Sequence, residues 1–262
     1  MIFLPLSRTI LDSFFHREPF AVERTWVGLQ NYFNLLSKPV FFSNLRFGLS
    51  WAFITVAFQT VIGLGIALLL NETFRGRSIC RTLTFAPYLL TASITAMMFM
   101  WLFSSTFGLF NAYLEMLGVT VRSWFDMSHA FSTLTLAAVW QFSPFSMIVI
   151  LAGLQAIPLN LYEAAKVDGA SAVSRFRHVT IPGAKDAIFV AVLLRILWMF
   201  NKFDLPWLLT KGGPMGATQN LPILIYRQAF EYFDFGMASA TAVFMIIVVI
   251  VIMYVYFRVY KP

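Results

Sequence analysis

The chain has 262 residues, 59% of them hydrophobic and 12% charged, with a mean hydropathy of +0.75. That leaves too little polar surface for a water-soluble domain and places the chain among integral membrane proteins. Its single cysteine, Cys80, excludes a disulfide framework and a cysteine-based metal site. The net charge of +7 is dispersed between apolar runs, the pattern of positive loops beside a membrane, and not gathered into the patch that nucleic-acid binding needs.

In chain order, the apolar stretch 1–6 is too short to span, and Arg8 and Asp12 follow at once. It reads as the outer end of a span whose first part is truncated, so that residues 1–46 form a span remnant plus an extracytoplasmic segment. A five-span protein with an outside N-terminus is the alternative. Five stretches then reach the ~20 apolar residues that a crossing needs: 47–70, 82–103, 133–156, 187–210 and 236–257. The expected fold is all-α, a polytopic transmembrane helical bundle over 47–257 with a tail at 258–262. Internal Gly63, Gly65 and Pro144 are tolerable because neighbouring helices resatisfy the backbone.

Cations set the orientation. Arg75, Arg77, Arg81, Lys166, Arg175, Arg177, Lys185, Arg258 and Lys261 share one side, while the two later loops opposite carry Arg122, Lys211 and Arg227 beside four acids. The richer side is cytoplasmic. Arg17, Arg24, Lys38 and Arg46 run against that bias.

The loop 157–185 is the informative one. Pro158 is expected in the first turn of a short helix over Tyr162-Glu163-Ala164-Ala165-Lys166. Gly169 ends it in the left-handed conformation, Ser171 caps a second helix through Phe176, and Pro182 breaks that helix before the next span. On residues alone, this corner is either a solvated connector or a knob presented to another protein. Glu163-Ala164-Ala165, then Gly169, Val179 and Ile181-Pro182, resembles the EAA motif of ABC importer permeases. Trp26-Val27-Gly28-Leu29-Gln30-Asn31-Tyr32, Arg75-Gly76-Arg77 with Arg81, Gly153-Leu154-Gln155-Ala156-Ile157-Pro158, and Leu209-Thr210-Lys211-Gly212-Gly213-Pro214 with Thr218 extend the likeness to the maltose-type sugar permeases over nearly the whole chain.

The resemblance implies a type I importer permease in a bacterial or archaeal cytoplasmic membrane, the first of two unlike permease subunits. It implies a soluble binding protein outside and two ATP-binding subunits inside, which hold the ATP and Mg. It also implies that Glu163, Ala164, Ala165, Asp168 and Gly169 contact the ATPase. The chain itself is expected to bind no cofactor and to be no enzyme: it has no phosphate-cradling Gly-rich loop, no zinc-protease pair and no nucleophile elbow. His16, His129 and His178 fall in three different loops.

Polar groups inside spans are candidates for the substrate pathway. The fourth stretch is richest, with Arg195 and then Asn201, Lys202 and Asp204, Lys202 lying roughly 20–25 Å along a continuous helix. Lys202 either lines the path or snorkels outward with Asp204 as local partner; the resemblance places sugar-lining residues at 201 and 202. Gln141 and Ser143, beside Pro144, with Trp140 and Phe145 as stacking rings, form a second set that helix packing alone also explains. Tyr88 and Ser93, near a kink expected at Pro87, form a third. Gln59 reads as interhelical glue, and Met97, Met98 and Met100 as packing. The rival functions are an ion-coupled secondary transporter using Asp204 and a non-transporting scaffold.

Overall fold

The computed structural model describes residues 3–16, 24–119 and 123–260. Arg17, Arg122 and Lys261, which entered the charge bias, lie outside them. The described chain is almost wholly helical: α1 (Phe3–Asp12), a two-residue hairpin pair β1 (Phe15–His16) and β2 (Thr25–Trp26), α2 (Gln30–Leu36), α3 (Pro39–Asn71), α4 (Arg77–Phe85), α5 (Ala92–Leu102), α6 (Leu109–Met116) and α7 (Ala130–Gln155). There follow α8 (Leu159–Val167), α9 (Ala172–Arg175), α10 (Ile181–Gly183), α11 (Lys185–Phe200), α12 (Asp204–Thr210), α13 (Leu221–Tyr226) and α14 (Phe235–Val259).

Three of the five expected spans are single helices long and apolar enough to cross a bilayer: α3, α7 and α14. Helix α3 begins eight residues before the apolar run, at Pro39, whose fixed φ suits a first helical turn. Pro144 sits inside α7 without ending it. The other two expected spans are broken. Helix α4, extended by a 3₁₀ turn over Ala86–Leu89, meets α5 at 94°. Here Leu90 is extended (φ −73°, ψ 143°), and its carbonyl accepts a hydrogen bond from Gln141 Nε2 at 2.9 Å. The fourth stretch divides into α11 and α12 at 201–203, so the measure of Lys202 along one continuous helix does not hold.

The chain groups into two compact units, each with its own packing. The first comprises Met1–Ala52, Ala96–Leu134 and Phe200–Pro262. There α1 and α2 pack on α14. Buried Asn31 donates to the carbonyls of Ser13 (2.8 Å) and Phe15 (3.0 Å), Tyr32 bonds Ser13 through their hydroxyls at 2.7 Å, and Trp26 packs on the rings of Phe14 and Phe15. The Trp26–Tyr32 segment thus ties the first hairpin to the helix that follows it. Asp234 caps α14 by accepting from Met237 N–H at 2.9 Å. At the start of α7, Asp126 accepts from the N–H groups of Ser128 and His129. Its hydrogen bond to the His129 ring, at 2.8 Å, holds its carboxyl below the usual range.

The second unit comprises Phe53–Thr95 and Thr135–Met199. Its core is aliphatic: Ala67, Leu70, Met147, Ile150, Leu151, Leu154, Ile157, Ala184 and Ala191, with Tyr162, Val179 and Ile188 against it. Small residues set the helix spacing. A Cβ on Gly63 of α3 would lie 2.8 Å from Ser146 Cβ of α7, and one on Gly153 of α7 would collide with Ala187 Cβ of α11. Without a hydrophobic drive between helices in lipid, such close backbone approach is what association rests on.

Candidate functional site

The 157–185 loop folds as a braced corner. Pro158 is the N-cap of α8, with extended backbone (ψ 133°), one position ahead of the expected first turn. Helix α8 ends in a full Schellman motif: Asp168 is the C-cap, Gly169 N–H bonds Lys166 O at 3.1 Å, and Ala170 N–H bonds Ala165 O at 2.9 Å. Gly169 supplies the φ of +75° that this closure requires. Ser171 Oγ then accepts from Ser174 N–H at 3.2 Å, starting α9 as expected. Two further bonds span the corner: Arg175 to Ala170 O at 2.6 Å, and Tyr162 Oη to Thr180 Oγ1 at 3.1 Å.

Pro182 does not break the second helix. The chain passes through a π turn over Phe176–Thr180, with Pro182 next to it in α10, and continues into α11. A proline ring would strike the carbonyl four residues back in a regular α-helix; the wider π turn moves that carbonyl aside. The second arm of the corner is therefore nearly continuous with α11.

Glu163, Ala164, Asp168 and Gly169 are exposed and Ala165 half-buried. A Cβ on Gly169 would meet nothing within 4 Å. Leu159, Leu161, Val167 and Val173 are exposed beside them. The apolar residues Ile157 and Val179 root the corner in the aliphatic core.

In the same unit, one span face carries a cation among rings. Arg195 of α11 is 2% exposed. Its Nε donates to Gln59 Oε1 at 2.9 Å and its Nη2 approaches Met199 Sδ at 2.9 Å. The guanidinium lies 4.6 Å from the Phe142 ring centroid, with Phe145 and Trp198 at 5.9 and 5.8 Å. Gln59 completes the hub by donating to Ala138 O at 3.0 Å. Among the described residues no carboxylate lies within ion-pair distance of Arg195. Half-exposed Tyr88 stacks on Phe145 and edges Phe142, and Trp198 edges Phe145. The structure thus brings together Tyr88, Phe145, Gln59, the span charge Arg195 and one residue that the sequence did not single out, Trp198. Arg195 was visible as a charge in a span, but its partner Gln59 lies 136 positions away. Gln141 and Ser143 are buried, Gln141 being used to hold the Leu90 bend. Trp140 is half-buried, and Ser93 is exposed at the start of α5.

In the other unit, Lys202 lies within the break between α11 and α12 and Asp204 directly after it. They form an ion pair of 3.0 Å, and Asp204 also accepts from Leu205 N–H at 2.8 Å. Asp204 thereby opens α12, where negative charge suits the helix dipole. Asn220 donates to Lys202 O at 2.7 Å and fixes the break, while Asn201 is exposed. Further along, buried Thr218 pins the Gly-Gly-Pro loop by bonding Gly213 O and Thr210 Oγ1, each at 2.7 Å, and Arg227 braces it through Gln219 and Lys211 O. Met215 projects from its tip.

An almost wholly helical chain with three bilayer-length apolar helices, and a braced, exposed corner following one of them, has the build of a multi-pass membrane permease subunit. The comparisons agree. Residues 59–262 match the family of binding-protein-dependent transport system inner membrane components, and the chain belongs to it. It is 37% identical to the trehalose/maltose transport system permease protein MalF of Thermococcus litoralis, covering 98% of this chain and 88% of that one. It is 34% identical to the sulfoquinovosyl glycerol transport system permease protein SmoG of Agrobacterium fabrum, over 100% of this chain and 85% of that one. In fold it is similar to a chain of a bacterial ABC transporter involved in the import of the acidic polysaccharide alginate, with a TM-score of 0.84 at 22% identity, covering 99% of this chain and 91% of that one.

Proposed function

We propose that this permease is the first of two unlike membrane subunits of an ATP-driven importer for a sugar or related polyol, and that it works by alternating access. The reading rests above all on the corner at α8–α9. Its surface presents exposed Glu163, Ala164, Asp168 and Gly169 with half-buried Ala165 between them, while bonds across it and a core-anchored root make it stiff enough to pass on a push. Two ATP-binding subunits would hold ATP and Mg and dock on this surface from the cytoplasm. Closing them would drive the corner, and α11 with it, because the second arm runs into that helix almost without interruption. A soluble binding protein would deliver ligand to the outer loops. The relatives' names support a carbohydrate ligand. Tyr88, Phe145 and Trp198 are rings suited to sugar faces, and Ser93, Gln141, Ser143, Asn201, Lys202 and Asp204 complete the proposed pathway set.

Reconstitution with the second permease, the ATPase and the binding protein tests this. ATP alone, with no ion gradient, is expected to drive uptake of a sugar that the binding protein holds. Gly169→Val, which forces a side chain into the left-handed region, is expected to abolish ligand-stimulated ATP hydrolysis while the complex still assembles. Uptake that needs a proton or sodium gradient would favour the ion-coupled alternative, and unchanged stimulation in the variant would remove the corner from the mechanism.

A further inference from the structure

Arg77 and Arg81, one turn apart on α4, reach for the same acceptor. With its amide oxygen turned toward them, Gln155 at the end of α7 receives Arg77 Nη2 at 2.6 Å and Arg81 Nη2 at 3.2 Å. The Nε of each arginine is buried without an acceptor, and among the described residues no carboxylate lies within ion-pair distance of either. Two cations therefore converge on one neutral amide, and the local charge is left for something outside the chain to balance.

The rest of α4 indicates what that is. Ile79 and Leu83, also one turn apart, lie on the opposite face and are exposed, with Phe74 exposed just ahead of the helix. The helix turns away from α5 at 94° instead of continuing it. A short helix with cations on one face and bare aliphatics on the other suits the plane of a bilayer surface. With Ile79 and Leu83 at the acyl boundary, the guanidiniums sit at headgroup level, where Arg pairs well with phosphate oxygens. A free anion would satisfy the arginines but leave the aliphatic face in water.

We infer that Arg77 and Arg81 form a binding site for the phosphate of an anionic phospholipid headgroup. Gln155 makes this site adjacent to the machinery, since Ala156, Ile157 and Pro158 lead from it directly into α8. A headgroup held there braces the root of the corner. The inference does not depend on which solute the permease carries.

The test uses the whole transporter complex in nanodiscs of phosphatidylcholine, alone or mixed with phosphatidylglycerol, with native mass spectrometry reading the phosphatidylglycerol retained. Removing both charges (Arg77→Gln with Arg81→Gln) is expected to lower retention by about fivefold per arginine, the worth of one cationic side chain at an anionic surface. Arg77→Lys with Arg81→Lys is expected to keep most of it. Gln155→Glu, which supplies a carboxylate from within the chain, provides a second route that leaves both arginines in place; it too is expected to lower retention. Equal retention in wild type and either neutralised form would overturn the inference. So would displacement of the lipid by inorganic phosphate, which would mark a free-anion site, or retention that follows the ATP-binding subunits instead of lipid charge.

Discussion

A guanidinium in the middle of a membrane helix is among the costliest groups to enclose, and Arg195 bears that cost with a neutral amide, a thioether and an aromatic face. Its neighbours cannot lose it singly without consequence. Replacing Gln59 with Leu removes the acceptor but leaves the charge, a change of the kind that costs about 3–5 kcal/mol. Replacing Arg195 with Met leaves only a buried amide oxygen, at about 1–3 kcal/mol. The double replacement removes both polar partners and substitutes apolar volume, so it is expected to melt above Gln59→Leu alone. Thermal midpoints of the four purified complexes make the comparison, and strict additivity of the two losses would show that the residues do not act as a pair.

At the scale of elements, the apolar runs marked α3, α7 and α14 correctly because a continuous buried or lipid-facing helix needs little besides length and hydropathy. The Gly169 end and the Ser171 start of the corner were equally legible, since each is a local backbone requirement met by one residue type. Pro87 announced a kink three residues before the break at 90, but neither the size of that bend nor the break at 201–203 was legible. Hydropathy does not register backbone direction, and each break is held by a distant side chain: Gln141 for Leu90, and Asn220 for Lys202. The π turn beside Pro182 was hidden for the same reason, because the residue type announces a stop while the surrounding helix makes room for it.

Gly153 reads in the sequence only as part of a motif; in the structure it is the point where α7 and α11 touch. Gly153→Ala is expected to overpack this contact and lower stability by about 1–3 kcal/mol. Adding Ala187→Gly returns the missing space from the other side and is expected to recover most of the loss, despite the extra glycine in a helix. Melting of the single and double variants checks this. A double variant less stable than either single one would place the constraint elsewhere than in the α7–α11 contact.

For the whole molecule, sidedness joins the charge pattern to the proposed mechanism. The cation bias of the loops predicts that the 71–81 segment, the α8–α9 corner and the end of α14 share one side and that the Gly-Gly-Pro loop lies on the other, the arrangement the proposed mechanism requires. The chain offers a direct probe, since Cys80 is its only cysteine and is exposed. With Cys80 replaced by Ala, single cysteines at Val167, 88% exposed beside the C-cap of α8, and at Met215, 96% exposed at the tip of the Gly-Gly-Pro loop, are expected to report the two sides separately. In intact cells stripped of the outer barrier, a membrane-impermeant maleimide is expected to label the Met215→Cys protein and spare the Val167→Cys protein; in inside-out vesicles the order reverses. A corner that labels from outside could not meet an ATP-driven motor in the cytoplasm, and the lever reading of α8, α9 and α11 would then have no engine to connect to.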